Sequence, residues 1–265
     1  MTRNVRRKPS EVPIKYSGCL ELLFAKEAPN FADRIRLAKK AGLDGVEFWR
    51  WSNKDVVAIR DALDETGLPV AGFIAEPMVP LTDPARHREF LEGLKTSIAT
   101  ARRLGAPMLI AQAGPDLPGR PRSEQRGALV ACLSKAADIL KGAGVVLAVE
   151  PLNTRVDHVG YFLPSTAEAL DIIDEVDRRE VRILYDIYHS AVMDEKIEEA
   201  LDGRIDRIAH VHIADHPGRH EPGSGTMDWR GRLEWLAGTT YPGMLGLEYK
   251  PTGSTEASLK TLLER

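Results

Sequence analysis

From about residue 16 onward, short apolar runs alternate with longer segments in which apolar residues recur every three or four positions. This is the pattern of buried strands exchanging with amphipathic helices. Strands are predicted over residues 18–24, 44–49, 70–75, 107–112, 145–150, 181–187, 205–214 and 244–249. The run over 145–150, aliphatic and β-branched until its final carboxylate, is suited to a parallel sheet covered on both faces. Phe31, Ile35 and Ala38 share one face of a first helix that stops at Gly42. Further helices are predicted over 55–66, 84–104, 123–141, 165–176, 192–201 and 229–237, with a closing helix after the last strand. Pro84 opens the third at a position where its missing N–H costs nothing.

Eight strand–helix pairs in a chain of 265 residues match a single (β/α)8 TIM barrel, whose usual size is ~250 residues. We place the barrel domain at 16–265 and a flexible basic tail, with Arg3, Arg6, Arg7 and Lys8, at 1–15. The competing doubly wound sheet needs a Gly-x-Gly-x-x-Gly turn after its first strand. Here Phe24 leads into Ala25 and Lys26 instead.

Composition narrows the function classes. Thirty-six Lys and Arg against 39 Asp and Glu give a net charge of −3, which argues against a nucleic-acid partner. No apolar run approaches the ~18 residues of a membrane span. Cys19 and Cys132 are the only cysteines, too few for a disulfide framework or a Cys-x-x-Cys site. A cytoplasmic protein is expected, with no membrane association.

In a barrel the chemistry gathers at the carboxyl ends of the strands. There the fifth predicted strand closes on Glu150, the sixth carries Asp186, the seventh carries His210 and His212, and the eighth carries Glu248. Three carboxylates and an imidazole at one mouth repel one another unless a divalent cation neutralises them, and this ligand mixture suits Mn²⁺, Mg²⁺ or Co²⁺. His210 and His212 point to one face of their strand, and we assign His210 to a hydrogen-bonded core role. His189, three residues past Asp186, is placed as a substrate contact, and so is Arg219, whose loop over 214–225 is rich in Gly, Pro and ionisable groups. Glu47, Trp49 and Lys250 are added as substrate-binding candidates, with Trp49 part of an aromatic wall that includes Phe48 and Trp51.

These residues carry a resemblance. Asp44-Gly45-Val46-Glu47-Phe48, Glu150-Pro151-Leu152-Asn153 with Gly160-Tyr161-Phe162-Leu163, Tyr185-Asp186-Ile187-Tyr188-His189, the run from His210 through Gly225, and Glu248-Tyr249-Lys250-Pro251 follow in order along the chain. The chain resembles the xylose-isomerase-like TIM barrels, most closely the hydroxypyruvate isomerase family of sugar isomerases and epimerases. The resemblance implies one divalent metal held by Glu150, Asp186, His212 and Glu248. It makes Glu150 and Glu248 the acid/base pair, and His189 and Arg219 substrate contacts. The chain departs from the isomerases in two places: His212 stands where they usually carry Gln, as in the related ketose 3-epimerases, and Gly225-Thr226 replaces their usual Gly-Glu.

The reaction implied is proton transfer beside a carbonyl through an enediolate stabilised by the metal, on a small sugar or hydroxy-keto acid, with a homo-oligomer compatible with the family. A ketose 3-epimerase is the alternative, and a non-catalytic sugar-binding barrel a further one. An endonuclease IV-type trizinc site would need histidines from early strands. The first histidine here is His87, and none lies between 88 and 157.

Overall fold

The computed structural model describes residues 14–201 and 203–263. Eight parallel strands close into a barrel in sequential order: β1 (Tyr16–Cys19), β2 (Gly45–Phe48), β3 (Val70–Ile74), β4 (Met108–Gln112), β5 (Val146–Glu150), β6 (Val181–Asp186), β7 (Ile208–Ile213) and β8 (Leu245–Leu247). Around them run α1 (Phe31–Lys40), α2 (Val56–Thr66), α3 (His87–Leu104), α4 (Arg122–Leu140), α5 (Thr166–Val176), α6 (Ile187–Val192), α7 (Ile197–Ala200), α8 (Trp229–Ala237) and α9 (Thr255–Leu263). The expected (β/α)8 architecture is therefore present, and residues 1–13 of the expected tail lie outside the described residues. Among the described residues no helix is long and apolar enough to cross a membrane.

The main apolar core fills the space between barrel and helices, with Phe48 and Phe73 stacked at 5.0 Å between ring centroids. A smaller cluster of Ile74, Met108, Ile110, Ala148 and Leu184 comes from β3 to β6. Opposite it, β2 and β7 contribute buried Glu47, His210 and His212. The barrel interior is thus apolar on one side and ionisable on the other, and the second side sets up the site.

Three predicted boundaries shift. The first strand ends at Cys19 rather than residue 24, because Leu22 and Leu23 turn their N–H groups back to the Cys19 carbonyl and Phe24 adopts φ +59°. Its apolar residues are buried in turns. The helix expected over 192–201 begins at Ile187, where the Asp186 side chain accepts the N–H groups of Tyr188 and His189 as an N-cap. It then breaks at Asp194, which takes φ +64°. Residues 205–207 form a 3₁₀ turn before β7.

Candidate active site

Strand register aligns the ionisable residues. Gln112 pairs with Glu150, Asp186 with His212, and His212 with Gly246. A Cβ on Gly246 would lie 2.4 Å from Glu47 Oε1, 2.5 Å from His212 Cδ2 and 2.7 Å from His210 Nε2, so only glycine leaves room for these three side chains. Glu150, Asp186, His212 and Glu248 are all buried, and one ligand atom from each lies within 4.8 Å of the others. His212 Nδ1 is 3.5 Å from Glu248 Oε2 and 3.8 Å from Glu150 Oε1, and among the described residues it has no hydrogen-bond partner. An unpartnered buried ring nitrogen among three carboxylates fits a divalent cation with mixed oxygen and nitrogen ligands.

Beneath this cluster Glu47 receives His210 Nε2 at 2.8 Å on Oε2 and approaches His212 Nε2 at 3.4 Å with Oε1. It is buried and does not line the cavity. Glu47, expected to contact substrate, has its carboxylate turned to the two imidazoles instead of the cavity. His210 has the hydrogen-bonded core position expected of it. Lys250, also expected to bind substrate, stands apart from the cavity as well. Its side chain is exposed outside the cavity, while its backbone N–H donates to the Arg219 carbonyl at 2.9 Å and its carbonyl accepts from His220 Nδ1 at 2.7 Å.

The cavity above the cluster measures about 320 Å³ and is bordered by Glu150, His189, Arg219 and Glu248 on one side and by Trp49, Arg50, Ile74, Met78 and Ile110 on the other. Trp49 Nε1 donates to Glu248 Oε1 at 2.7 Å. Arg219 donates to Glu248 Oε2 at 2.5 Å, lies within 4 Å of Asp157 and Asp186, and stacks 5.2 Å from the Tyr188 ring centroid. Its backbone takes φ +55°, a left-handed conformation that a non-glycine residue holds only when its surroundings enforce it. The enforcing residue is Asp215, fully buried, which accepts the N–H groups of His216, Gly223 and Met227 across the loop.

His189 is oriented through Asn153. The Asn153 side-chain oxygen accepts from Val156 and Asp157 N–H, which leaves its amide N–H groups to reach Asp157 Oδ2 at 2.7 Å and His189 Nδ1 at 2.6 Å. The Asn153 backbone N–H adds a second donor to Nδ1. This network assigns the His189 proton to Nε2, which has no hydrogen-bond partner among the described residues. Burial lowers His189 to about 4 despite the nearby Glu150 carboxylate, so the ring is neutral.

The remaining electrostatics follow from burial and neighbours. Burial alone would raise Glu47, yet His212 and His210 bring it down to about 2. Burial likewise works against ionised Glu248, and His212 and Arg219 hold it well below the usual carboxylate range. Asp186 is pushed up by burial, with Glu248 adding to the effect. Burial also opposes a charged His212, but Glu47 and Glu248 outweigh it and raise the ring well above an ordinary histidine.

Sequence reasoning missed Asn153, Asp157 and Tyr188 as the supports of His189 and Arg219. It also missed Arg50 and Asp215. The Asp186-Ile187-Tyr188-His189 spacing carried a signal, since an N-cap at Asp186 brings the next three residues into one turn.

A model of the family described as xylose isomerase-like TIM barrel matches residues 35–265. The chain belongs to this family. The hydroxypyruvate isomerase of Escherichia coli strain K12 is 31% identical to this xylose isomerase-like barrel over 254 residues, covering 93% of this chain and 97% of the other. The 2-oxo-tetronate isomerase of Cupriavidus necator is 28% identical over 254 residues, covering 92% and 96%. Among solved structures, AP endonuclease, family 2, from Brucella melitensis superposes with a TM-score of 0.87 at 30% identity over 95% of this chain and 98% of that one. The 3-keto-D-glucoside 4-epimerase of E. coli gives 0.80 at 25% identity, over 95% and 100%. The xylose isomerase-like barrel is an enzyme of the isomerase and epimerase class.

Proposed function

We propose that the protein is a divalent-metal-dependent isomerase of a small sugar or hydroxy-keto acid, with Glu150 and Glu248 carrying the proton. The observation that supports this most is the buried set Glu150, Asp186, His212 and Glu248, whose ligand atoms converge within 4.8 Å at the ends of adjacent strands. These four residues would hold Mn²⁺, Mg²⁺ or Co²⁺, and such an ion supplies a Lewis acid that stabilises negative charge developing on substrate oxygens.

The protein's own groups do the rest. Glu150 ends β5 and Glu248 follows β8 at the cavity floor, so one can take a proton from the carbon beside the carbonyl while the other faces the substrate from another direction. Return of the proton to the neighbouring carbon interconverts aldose and ketose. Delivery by the second carboxylate to the opposite face of the same carbon inverts it, and the two-glutamate arrangement favours this epimerase reading as the second one. His189 Nε2–H and the Arg219 guanidinium are donors fixed in advance at the cavity wall, as stabilisation of a charged transition state requires. Names of the relatives, hydroxypyruvate isomerase and 2-oxo-tetronate isomerase, support a hydroxy-keto acid as substrate.

The test is Mn²⁺-loaded protein in D₂O with hydroxypyruvate, 2-oxo-tetronates and free ketoses, followed by proton NMR. Deuterium entering the carbon beside the carbonyl is expected, with the product separating isomerisation from epimerisation. Glu150→Gln and Glu248→Gln should each lose at least ~10²-fold in turnover. Wild-type rates in either metal-replete variant refute the acid/base assignment, and full activity in verified metal-free protein refutes the metal dependence.

A further inference from the structure

The cavity has two chemically different ends. Glu150, His189, Arg219 and Glu248 come from β5–β8 and the loops that follow them, whereas Trp49, Arg50, Ile74, Met78 and Ile110 come from β2–β4 and their loops. In a barrel of sequential strands these two sets face each other across the mouth. Trp49 reaches back to Glu248, so a substrate whose reacting carbons lie among the carboxylates extends its other end toward Arg50 and the apolar wall of Ile74, Met78 and Ile110.

Two arginines border this cavity, and they are not equivalent. Arg219 is committed, with Glu248 at 2.5 Å, Asp157 and Asp186 within 4 Å, and Tyr188 beneath it. Among the described residues Arg50 has one carboxylate contact, Glu76 Oε2 at 3.4 Å, longer than the ~2.7–2.9 Å of a charge-assisted hydrogen bond. Glu76 already accepts Trp51 N–H at 2.8 Å, Ser52 N–H at 3.1 Å and the Ser52 hydroxyl at 2.5 Å. The Arg50 side chain is 51% exposed and borders the cavity.

Its loop, by contrast, is fixed. Buried Glu76 ties down Trp51 and Ser52, and Lys54, with a side chain only 7% exposed, donates to the Arg50 carbonyl at 2.6 Å and pairs with Glu21. A guanidinium with unspent donors on a rigid loop is prepared to take a planar or tetrahedral oxyanion through its fork. A neutral sugar end would gain little from it.

We propose that Arg50 is the specificity residue for an anionic group, carboxylate or phosphate, at the end of the substrate remote from the reacting carbons. The proposal rests on the isomerase reading and narrows its substrate to sugars or hydroxy-keto acids that carry an anionic group beyond any carboxylate on the reacting carbonyl carbon, as hydroxypyruvate itself does not.

The experiment compares D-erythrulose with D-erythrulose 4-phosphate, and D-fructose with D-fructose 6-phosphate and D-fructuronate, on the Mn²⁺-loaded full chain. Deuterium exchange by NMR gives kcat and KM for wild type, Arg50→Gln and Arg50→Lys. We expect wild type to prefer an anionic member over its neutral partner in kcat/KM. Arg50→Gln should raise KM for the anionic compound ~10-fold or more beyond any change for the neutral one, with kcat little altered and partial rescue in Arg50→Lys. The phosphate and carboxylate arms identify the anion. Equal KM changes for anionic and neutral compounds, or no anion preference in wild type, overturn the proposal. If neither these compounds nor hydroxypyruvate and the 2-oxo-tetronates exchange in wild type, the isomerase reading has failed; whenever the panel itself does not exchange, calorimetric binding of the same anions still decides the role of Arg50. Weaker binding to Arg50→Gln supports it, and equal or absent binding overturns it.

Discussion

Substituting Glu47 by Gln tests how His212, the proposed metal ligand, is held. The wild-type carboxylate presents one oxygen to His210 Nε2 at 2.8 Å and the other to His212 Nε2 at 3.4 Å. Two acceptor oxygens favour the proton on Nε2 of each ring. For His212 that leaves a lone pair on Nδ1, facing Glu150 and Glu248. The amide introduced by Glu47→Gln is nearly equal in volume but has only one acceptor oxygen. If that oxygen stays with His210, the amide NH₂ meets His212 Nε2 and favours the tautomer with the proton on Nδ1, where it blocks ligation. Loss of such a carboxylate behind a ligating histidine costs roughly 10–100-fold in metal affinity as a rule, or about 1.4–2.7 kcal/mol. Calorimetric titration of metal-free wild type and Glu47→Gln with Mn²⁺, alongside circular dichroism to verify the fold, measures it. A folded variant with wild-type Mn²⁺ affinity refutes the reasoning.

Three further outcomes are expected. Burial opposes protonation of His212, but Glu47 and Glu248 raise it overall, so Mn²⁺ must displace a proton in the metal-free protein. Its apparent affinity should therefore climb with pH, toward tenfold per unit, on both sides of the ordinary histidine value of ~6.5 and level off above the raised value; an affinity independent of pH between about 6 and 8 contradicts this. Gly246→Ala forces a Cβ against Glu47, His210 and His212 and should lower stability by ~1–3 kcal/mol, read from denaturant unfolding, together with Mn²⁺ affinity; wild-type values of both refute the packing argument. Asp215→Ala removes the acceptor of three loop N–H groups and should speed hydrogen exchange over 216–227, whereas unchanged protection there means that Asp215 does not organise the loop.

The strand ends were legible because a parallel barrel strand is apolar throughout, so Glu150 and Asp186 stand out as the residues that stop the run. His212 was legible for a related reason, since the alternation of β7 places it one layer above His210. Glu47 has the same sequence signal, a carboxylate in an apolar strand, but it lies one layer too deep. Register against β1 and β3 fixes that depth, and the residues of β2 alone do not reveal it. Lys250 and Arg219 both sit in loops, where a few backbone dihedrals decide which way a long side chain points. Arg219 turns inward because Asp215 enforces its left-handed backbone, while Lys250 uses only its backbone to pin that loop. The apolar run over 18–24 was misleading in another way, as pairing with β2 reaches only to the Leu20 N–H, which donates to the Glu47 carbonyl, and Leu23 is buried by packing of a turn.

Charge accounting links the metal cluster to Arg50. Glu150, Asp186 and Glu248 contribute three carboxylates at the cavity floor, and the Cys19 thiol near Glu248 is raised by burial and stays neutral. Arg219 supplies one positive charge in contact with them. With a divalent ion and a neutral His212 the three carboxylates and Arg219 sum to zero, and Asp157 beside Arg219 leaves no positive charge over. Glu47 lies below, hydrogen-bonded to His210 Nε2 at 2.8 Å. A neutral substrate leaves this balance intact, but a substrate carboxylate or phosphate adds charge that the cluster has no cation left to offset. Placing that group across the cavity, beside an arginine whose carboxylate neighbour is already satisfied, restores the balance without disturbing the reacting end. On this argument Arg50→Gln should weaken binding of anionic substrates while the Mn²⁺ affinity of the protein stays as in wild type, and a parallel loss of metal affinity would show that the two ends are not independent.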